Sequence, residues 1–164
     1  MKPKAKGNSF ERKIANLLSE RFAAKTGIDK SFRRNADSGS FFGGSNVKRT
    51  EAYDTEKATF GDIITPSTFA FSIECKHYKS APSFALLMKQ DVKDWDKWIG
   101  QAGQDCISAN KKMVIIIKYN AVEEFVILNE SFGLTPLLNY KQYTIVSLAE
   151  FLKLPDSVFF DDAV

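Results

Sequence analysis

Between Thr59 and Tyr78 the chain reads TFGDIITPSTFAFSIECKHY, and three residues in it can do chemistry together: Asp62, Glu74 and Lys76. Their apolar surroundings predict two strands joined by a Pro-containing turn. Side chains alternate faces along a strand, so Glu74 and Lys76 share a face with Ser72 and Tyr78, while Phe71, Ile73 and Cys75 point the other way. A carboxylate and an ammonium thus stand side by side where their neighbours favour burial. Charges there are unfavourable unless paired or bound to a metal. Asp62, on the side of Ile64, approaches Glu74 if the two strands form a hairpin. Two carboxylates converging beside a lysine make a hard-cation site with a cationic neighbour.

Other elements must position these groups. Residues 9–25 predict an amphipathic helix, because Phe10, Ile14, Leu17, Leu18 and Phe22 recur at helical spacing and occupy an arc of about 140°. Asn8 or Ser9 can cap its start, and residues 1–8 read as a basic flexible tail. Glu11 falls inside the apolar arc; it either interacts with the helix dipole at the edge of the stripe or faces an internal polar site. Gly27 predicts a helix stop and Ser31–Asn35 a short strand. Residues 36–58 have no period and are rich in Gly, Ser and charge, which predicts a long mobile loop. Phe41 and Phe42 within it need cover from a dimer partner, from DNA or from the protein itself.

Residues 84–109 read as helix with a break near Lys89–Asp91. Val92, Trp95, Ile99, Ala102, Cys106 and Ala109 form its core stripe, while Gly100 and Gly103 weaken it but allow close approach. Lys112–Tyr119 predicts a strand buried on both faces, Glu124–Leu128 its hairpin partner, and Tyr143–Val146 a further strand. Ser147 with Glu150 predicts a capping box opening a last helix. The order is α-β-(loop)-β-β-α-β-β-β-α: one α/β domain over residues 1–164, with a central mixed β-sheet flanked by helices.

Composition bounds the function. The 164 residues are 44% hydrophobic and 26% charged, an ordinary globular balance. Two cysteines without C-x-x-C spacing and a single histidine, His77, cannot build a zinc cluster. Reduced thiols, the absence of a secretory h-region and apolar runs too short for a membrane span predict a cytoplasmic protein. The net charge of +3 conceals a gradient: residues 1–50 hold twelve Lys/Arg against four Asp/Glu, and residues 119–164 two against seven. A basic first third on a nearly neutral whole points to a polyanion bound on one side.

Together the polar residues give Glu11 … (Gly61)Asp62-x(11)-Glu74-x-Lys76. The pattern resembles the PD-(D/E)xK nuclease superfamily, and within it the Holliday-junction resolvases of archaeal and related bacterial type. GNSFERKIA, GDII and IECK carry the resemblance, with Gln101 matching on the following helix; it spans residue 7 to about 118. An E-x-K triplet alone arises by chance in most chains of this size, so the weight lies in the combination. Phe60-Gly61 stands where the superfamily has Pro before the Asp. The resemblance implies a restriction-endonuclease-like fold and a metal-dependent DNA endonuclease cutting four-way junctions as a homodimer. It implies that Asp62, Glu74 and the Cys75 carbonyl hold Mg²⁺, with Mn²⁺ able to substitute. Lys76 would orient water or neutralise charge on the phosphate, Glu11 would bind a second metal or water, and Gln101 would position the water or Lys76.

Arg33, Arg34, Lys48 and Arg49 are the candidate phosphate contacts, giving affinity and salt dependence rather than sequence choice. His77 lies opposite Glu74 with no nucleophile beside it and reads as structural, as do Trp95 and Trp98. Two alternatives stay open: a restriction-type or exonuclease-type nuclease, or a non-catalytic DNA-binding module on the same fold.

Overall fold

The buried run Met113 to Ile117 decides how the layers stack, because neither of its faces is polar and both must be covered. The computed structural model describes residues 3–36 and 60–161. Its elements are α1 (Pro3–Arg21), α2 (Ala23–Thr26), β1 (Arg33–Arg34), β2 (Ile63–Ile64), β3 (Phe71–Tyr78), α3 (Phe84–Lys89), α4 (Lys93–Ala109), β4 (Lys112–Tyr119), β5 (Phe125–Leu128), β6 (Leu138–Tyr140), β7 (Tyr143–Ser147), α5 (Leu148–Leu152) and α6 (Asp156–Phe159). On one face of β4, Val114 and Ile116 pack with Phe10, Ile14 and Leu18 of α1 and with Phe22 just after it. On the other, Met113, Ile115 and Ile117 pack with Trp95, Ile99, Ala102 and Cys106 of α4. Truncating a fully buried residue such as Ile115 to Ala would cost about 2–5 kcal/mol.

The sheet order is β3-β4-β5-β7-β6, with β3 parallel to β4 and the other pairs antiparallel. The expected mixed α/β layering is therefore observed, and it leaves β3 at an edge. A parallel pair needs a crossover connection, here α3 and α4. The Trp95 indole donates to the Tyr119 hydroxyl at the end of β4, and the Lys112 N–H bonds the Ala70 carbonyl beside the start of β3. Helix α4 therefore runs antiparallel to both strands. The chain entering β3 is tied down by the C-terminal segment, where Ala70 N–H donates to Phe159 O at 2.7 Å and Asp161 N–H to Thr68 O at 2.9 Å.

Several boundaries differ from expectation. Helix α1 begins at Pro3, so residues expected as a tail form its first turns: proline is pre-organised for the first helical turn, and Lys6 is anchored on Asn120 at 2.7 Å. Strand β2 does not form a hairpin ladder with β3. It pairs antiparallel with β1, Arg33 opposite Ile64 and Arg34 opposite Ile63. Gly100 and Gly103 allow no close approach within the chain, since a Cβ at either would meet nothing within 4 Å. The capping box is half made: Ser147 Oγ accepts from Glu150 N–H at 3.1 Å, but the Glu150 carboxylate turns to Lys153. Strand β6 and helix α6 are too short to leave a periodic signal. Among the described residues no helix is long and apolar enough to cross a membrane. The loop expected at 36–58, with Phe41 and Phe42, lies almost wholly outside the described residues.

Candidate active site

The free edge of β3 carries the site. In place of a neighbouring strand stands Asp62: its N–H donates to Ile73 O at 2.8 Å, and its Oδ2 accepts the N–H of Cys75 at 2.8 Å. A side chain has replaced the ladder on this edge of β3. The N–H and C=O of one residue point to the same side of a strand, so the Cys75 carbonyl also faces this edge. The approach is close enough to require glycine before the Asp. Gly61 has φ +82°, and a Cβ there would lie 2.5 Å from Ile73 O.

On β3 itself, Lys76 Nζ meets Glu74 Oε1 at 2.6 Å. Glu74 is 4% exposed and Asp62 8%, so both carboxylates are largely out of water. From the opposite layer α1 brings Glu11, 9% exposed and paired with Arg34 Nε at 2.5 Å; a second Arg34 nitrogen donates to Asn8 at 2.9 Å. Two polar pins hold this arrangement. The Ser19 hydroxyl accepts from Phe32 N–H at 3.0 Å, fastening β1 to α1. Asn35 N–H bonds Asp62 O at 2.8 Å, and its side chain donates to Gly61 O at 3.1 Å, fastening the Gly-Asp pair to β1.

The electrostatics show negative charges pressed together. Burial and then the Asp62 charge push Glu74 up to about 7, and Lys76 offsets only part of this. Glu11 is raised for the same two reasons, with Arg34 opposing. Burial acts to lower Lys76, but Glu74 and Asp62 outweigh it and hold the lysine above its usual range. Burial, then Asp62 and Glu74, push the Cys75 thiol well up, so it is no nucleophile at neutral pH.

The structure therefore brings Glu11, Asp62, Glu74 and Lys76 into one electrostatic group and places the Cys75 carbonyl beside it. Gln101 is exposed on α4 and its side chain makes no hydrogen bond among the described residues. One turn further on the same face is Asp105, which sequence reasoning missed. Trp98, seven residues before Asp105, packs its ring 4.9 Å from Tyr78, and the antiparallel course of α4 carries Asp105 back along β3 toward Glu74. Burial and then Asp62 raise Asp105, and its charge in turn raises Glu74. Its i+4 spacing from Gln101 was the available signal. Asn35 was missed as well and left none. Arg33 is exposed, Arg34 turns inward to Glu11, and Lys48 and Arg49 lie outside the described residues. His77 packs against Phe10 at 5.4 Å, away from Glu74.

The donor set fits a hard divalent cation. Among the described residues no three His, Cys, Asp or Glu side chains form a ready cage. Mg²⁺ is ordinarily held otherwise, by one or two carboxylates, waters and substrate oxygens in near-octahedral geometry. Asp62, Glu74 and the Cys75 carbonyl offer that partial set, and two buried carboxylates sharing one lysine need further positive charge.

No curated protein and no solved structure matches the chain. Residues 2–155 match a family model whose description is "Phage putative PDDEXK endonuclease". That match covers the whole arrangement from Glu11 to α4 and most of the chain beyond, and the chain belongs to this PDDEXK endonuclease family.

Proposed function

We propose that the protein is a divalent-metal-dependent DNA endonuclease whose catalytic group is Glu11, Asp62, Glu74 and Lys76 at the free edge of β3. The observation that carries this reading is Asp62 fastened to the backbone of the Glu-x-Lys strand with Glu74 and Lys76 beside it. Asp62, Glu74 and the Cys75 carbonyl would hold Mg²⁺ or Mn²⁺. The cation, when bound, supplies charge neutralisation of the scissile phosphate and a more acidic water. Lys76 donates to the phosphate oxygen on which charge develops. Glu11, held by Arg34, accepts a hydrogen bond from the attacking water and orients it. Gln101 extends this polar rim from α4.

The substrate we propose is branched DNA, a four-way junction cut symmetrically by a homodimer. Its support is the resemblance of GNSFERKIA and IECK to junction resolvases, and the two-fold symmetry that paired cuts require. The test is cleavage of a labelled four-way junction, linear duplex, single strand and flap in Mg²⁺. Paired nicks near the junction centre support the reading. Equal cutting of linear duplex retains the nuclease and removes the junction. Tight binding without cutting of any substrate rejects the catalytic reading.

A further inference from the structure

Between α1 and the segment leading into β1 lies a groove of about 230 Å³, lined by Arg12, Asn16, Lys30, Arg33 and Arg34 together with the apolar Ala15 and Phe32. Four of those seven side chains are cationic, and none of the seven is a carboxylate. Arg12 and Asn16 stand one helical turn apart on α1, about 6 Å along its axis. Lys30 and Arg33 form the facing wall, where Arg33 Nε donates to Lys30 O at 3.3 Å. Among the described residues no carboxylate pairs with Arg12, Lys30 or Arg33, whereas Arg34 is paired with Glu11. Like charges in a concavity repel one another and focus a positive field, which favours an anionic ligand over an empty groove.

Position gives that ligand its identity. Arg34 lines the groove and also bonds Glu11, so the groove adjoins the candidate catalytic group through this one side chain. Where it shares Asn16 and Lys30 it meets a hollow of about 610 Å³ that is also lined by Glu20 and Asp29. The positive track therefore starts at the catalytic group and stops at Lys30. Three of the four cations are guanidinium groups, whose fork suits phosphate oxygens.

We propose that this groove seats the sugar-phosphate backbone of DNA on one side of the cleaved bond, the strand leaving the site past Arg34 and running over Arg12 and Arg33 to Lys30. The assignment adds Arg12, Asn16 and Lys30 to the interface and gives the strand a direction across α1; it rests on the nuclease reading. Contacts of this kind are to phosphate, so they set affinity and salt dependence and leave sequence preference unchanged.

The test uses the whole chain carrying Asp62→Asn to block cutting, with fluorescence anisotropy of labelled four-way junction and duplex DNA measured across a KCl series. Neutralising the groove with Arg12→Gln, Lys30→Gln and Arg33→Gln should shrink the slope of log K against log [KCl] by about 0.9 for each phosphate no longer neutralised. Affinity at low salt should fall at least about tenfold, by the same counterion-release relation. The control pair Lys141→Gln and Lys153→Gln, on exposed side chains elsewhere, should leave the slope unchanged. An unchanged slope in the groove variant, or equal change per charge in groove and control, overturns the groove while wild-type cleavage of the same DNA keeps the nuclease reading. Wild-type protein that neither binds nor cuts DNA overturns both.

Discussion

The Asp62 carboxylate is held by the backbone of the strand it serves: Oδ2 accepts the Cys75 N–H at 2.8 Å, midway between Glu74 and Lys76 in sequence. Its other oxygen has no hydrogen bond among the described residues. One bond thus fixes the rotamer and leaves a lone oxygen for other use. The same carboxylate raises Glu11, Glu74 and Asp105, so it is the charge around which the site is strained.

Replacing that charge while keeping the bond separates its two roles. Asp62→Asn retains an oxygen for Cys75 N–H but removes the repulsion felt by Glu74 and Glu11. Metal-free protein at pH 8 should melt a few degrees higher than wild type, and DNA cleavage should fall by at least about 100-fold. Thermal unfolding in EDTA and a cleavage time course check the two halves. An unchanged melting temperature would show that the repulsion is already relieved.

The pH dependence follows from Glu74, whose pKa of about 7 lies above its ordinary 4.5. Between those values the unfolded chain binds fewer protons than the folded one, so stability falls as pH rises through that window and levels off above it. Metal-free unfolding from pH 5 to 8 should show this slope, and Glu74→Gln should flatten it. Cation binding must displace the same proton, so Mn²⁺ affinity should weaken below about pH 7, up to tenfold per unit. Because Asp105 adds to the upward push, Asp105→Asn should move the midpoint to lower pH.

Much of this site was legible in the chain because its signals are local. Glu74 and Lys76 sit two apart in an apolar strand, and Glu11 interrupts an apolar helical stripe; alternation and helical period place both. Asp62 was recognisable by type, but its mode of contact was not. A hairpin was the simplest way to bring it to Glu74, whereas a side chain capping a strand edge depends on Asn35 and Gly61, which come together only in the fold. Asp105 escaped because a single acidic residue on a polar helix face has no period of its own. The layering followed from KMVIIIKY, whose burial on both faces demands two covers. Helix α1 is longer than its pattern suggests because Asn8 and Ser9, residues that favour a helix start, lie inside it.

Glycine substitutions at two places should have opposite signs. Gly61→Ala introduces a Cβ 2.5 Å from Ile73 O at φ +82° and should destabilise by about 1–3 kcal/mol or more, with cleavage lost as Asp62 shifts. Gly100→Ala, in the interior of α4 with open space around it, should stabilise by about 0.5–1 kcal/mol. Urea unfolding of both variants checks the pair.

Arg34 should prove to be a partner of Glu11 before it is anything else. Arg34→Ala leaves a carboxylate at 9% exposure without its cation and should cost about 1.5–3 kcal/mol at pH 8. Adding Glu11→Gln should recover most of that loss without recovering cleavage. A double-mutant cycle measures the coupling, and additive losses would mean the two side chains act independently.

If Glu74 holds the cation through which DNA is cut, removing its charge must abolish metal-dependent cleavage and spare binding. Wild-type protein and Glu74→Gln are given the same labelled DNA with and without Mg²⁺, with binding measured in parallel. Cleavage by wild type only in the presence of Mg²⁺, lost in Glu74→Gln while DNA binding persists, is the predicted result. Metal-dependent cleavage at the wild-type rate by Glu74→Gln would contradict the role assigned to this carboxylate.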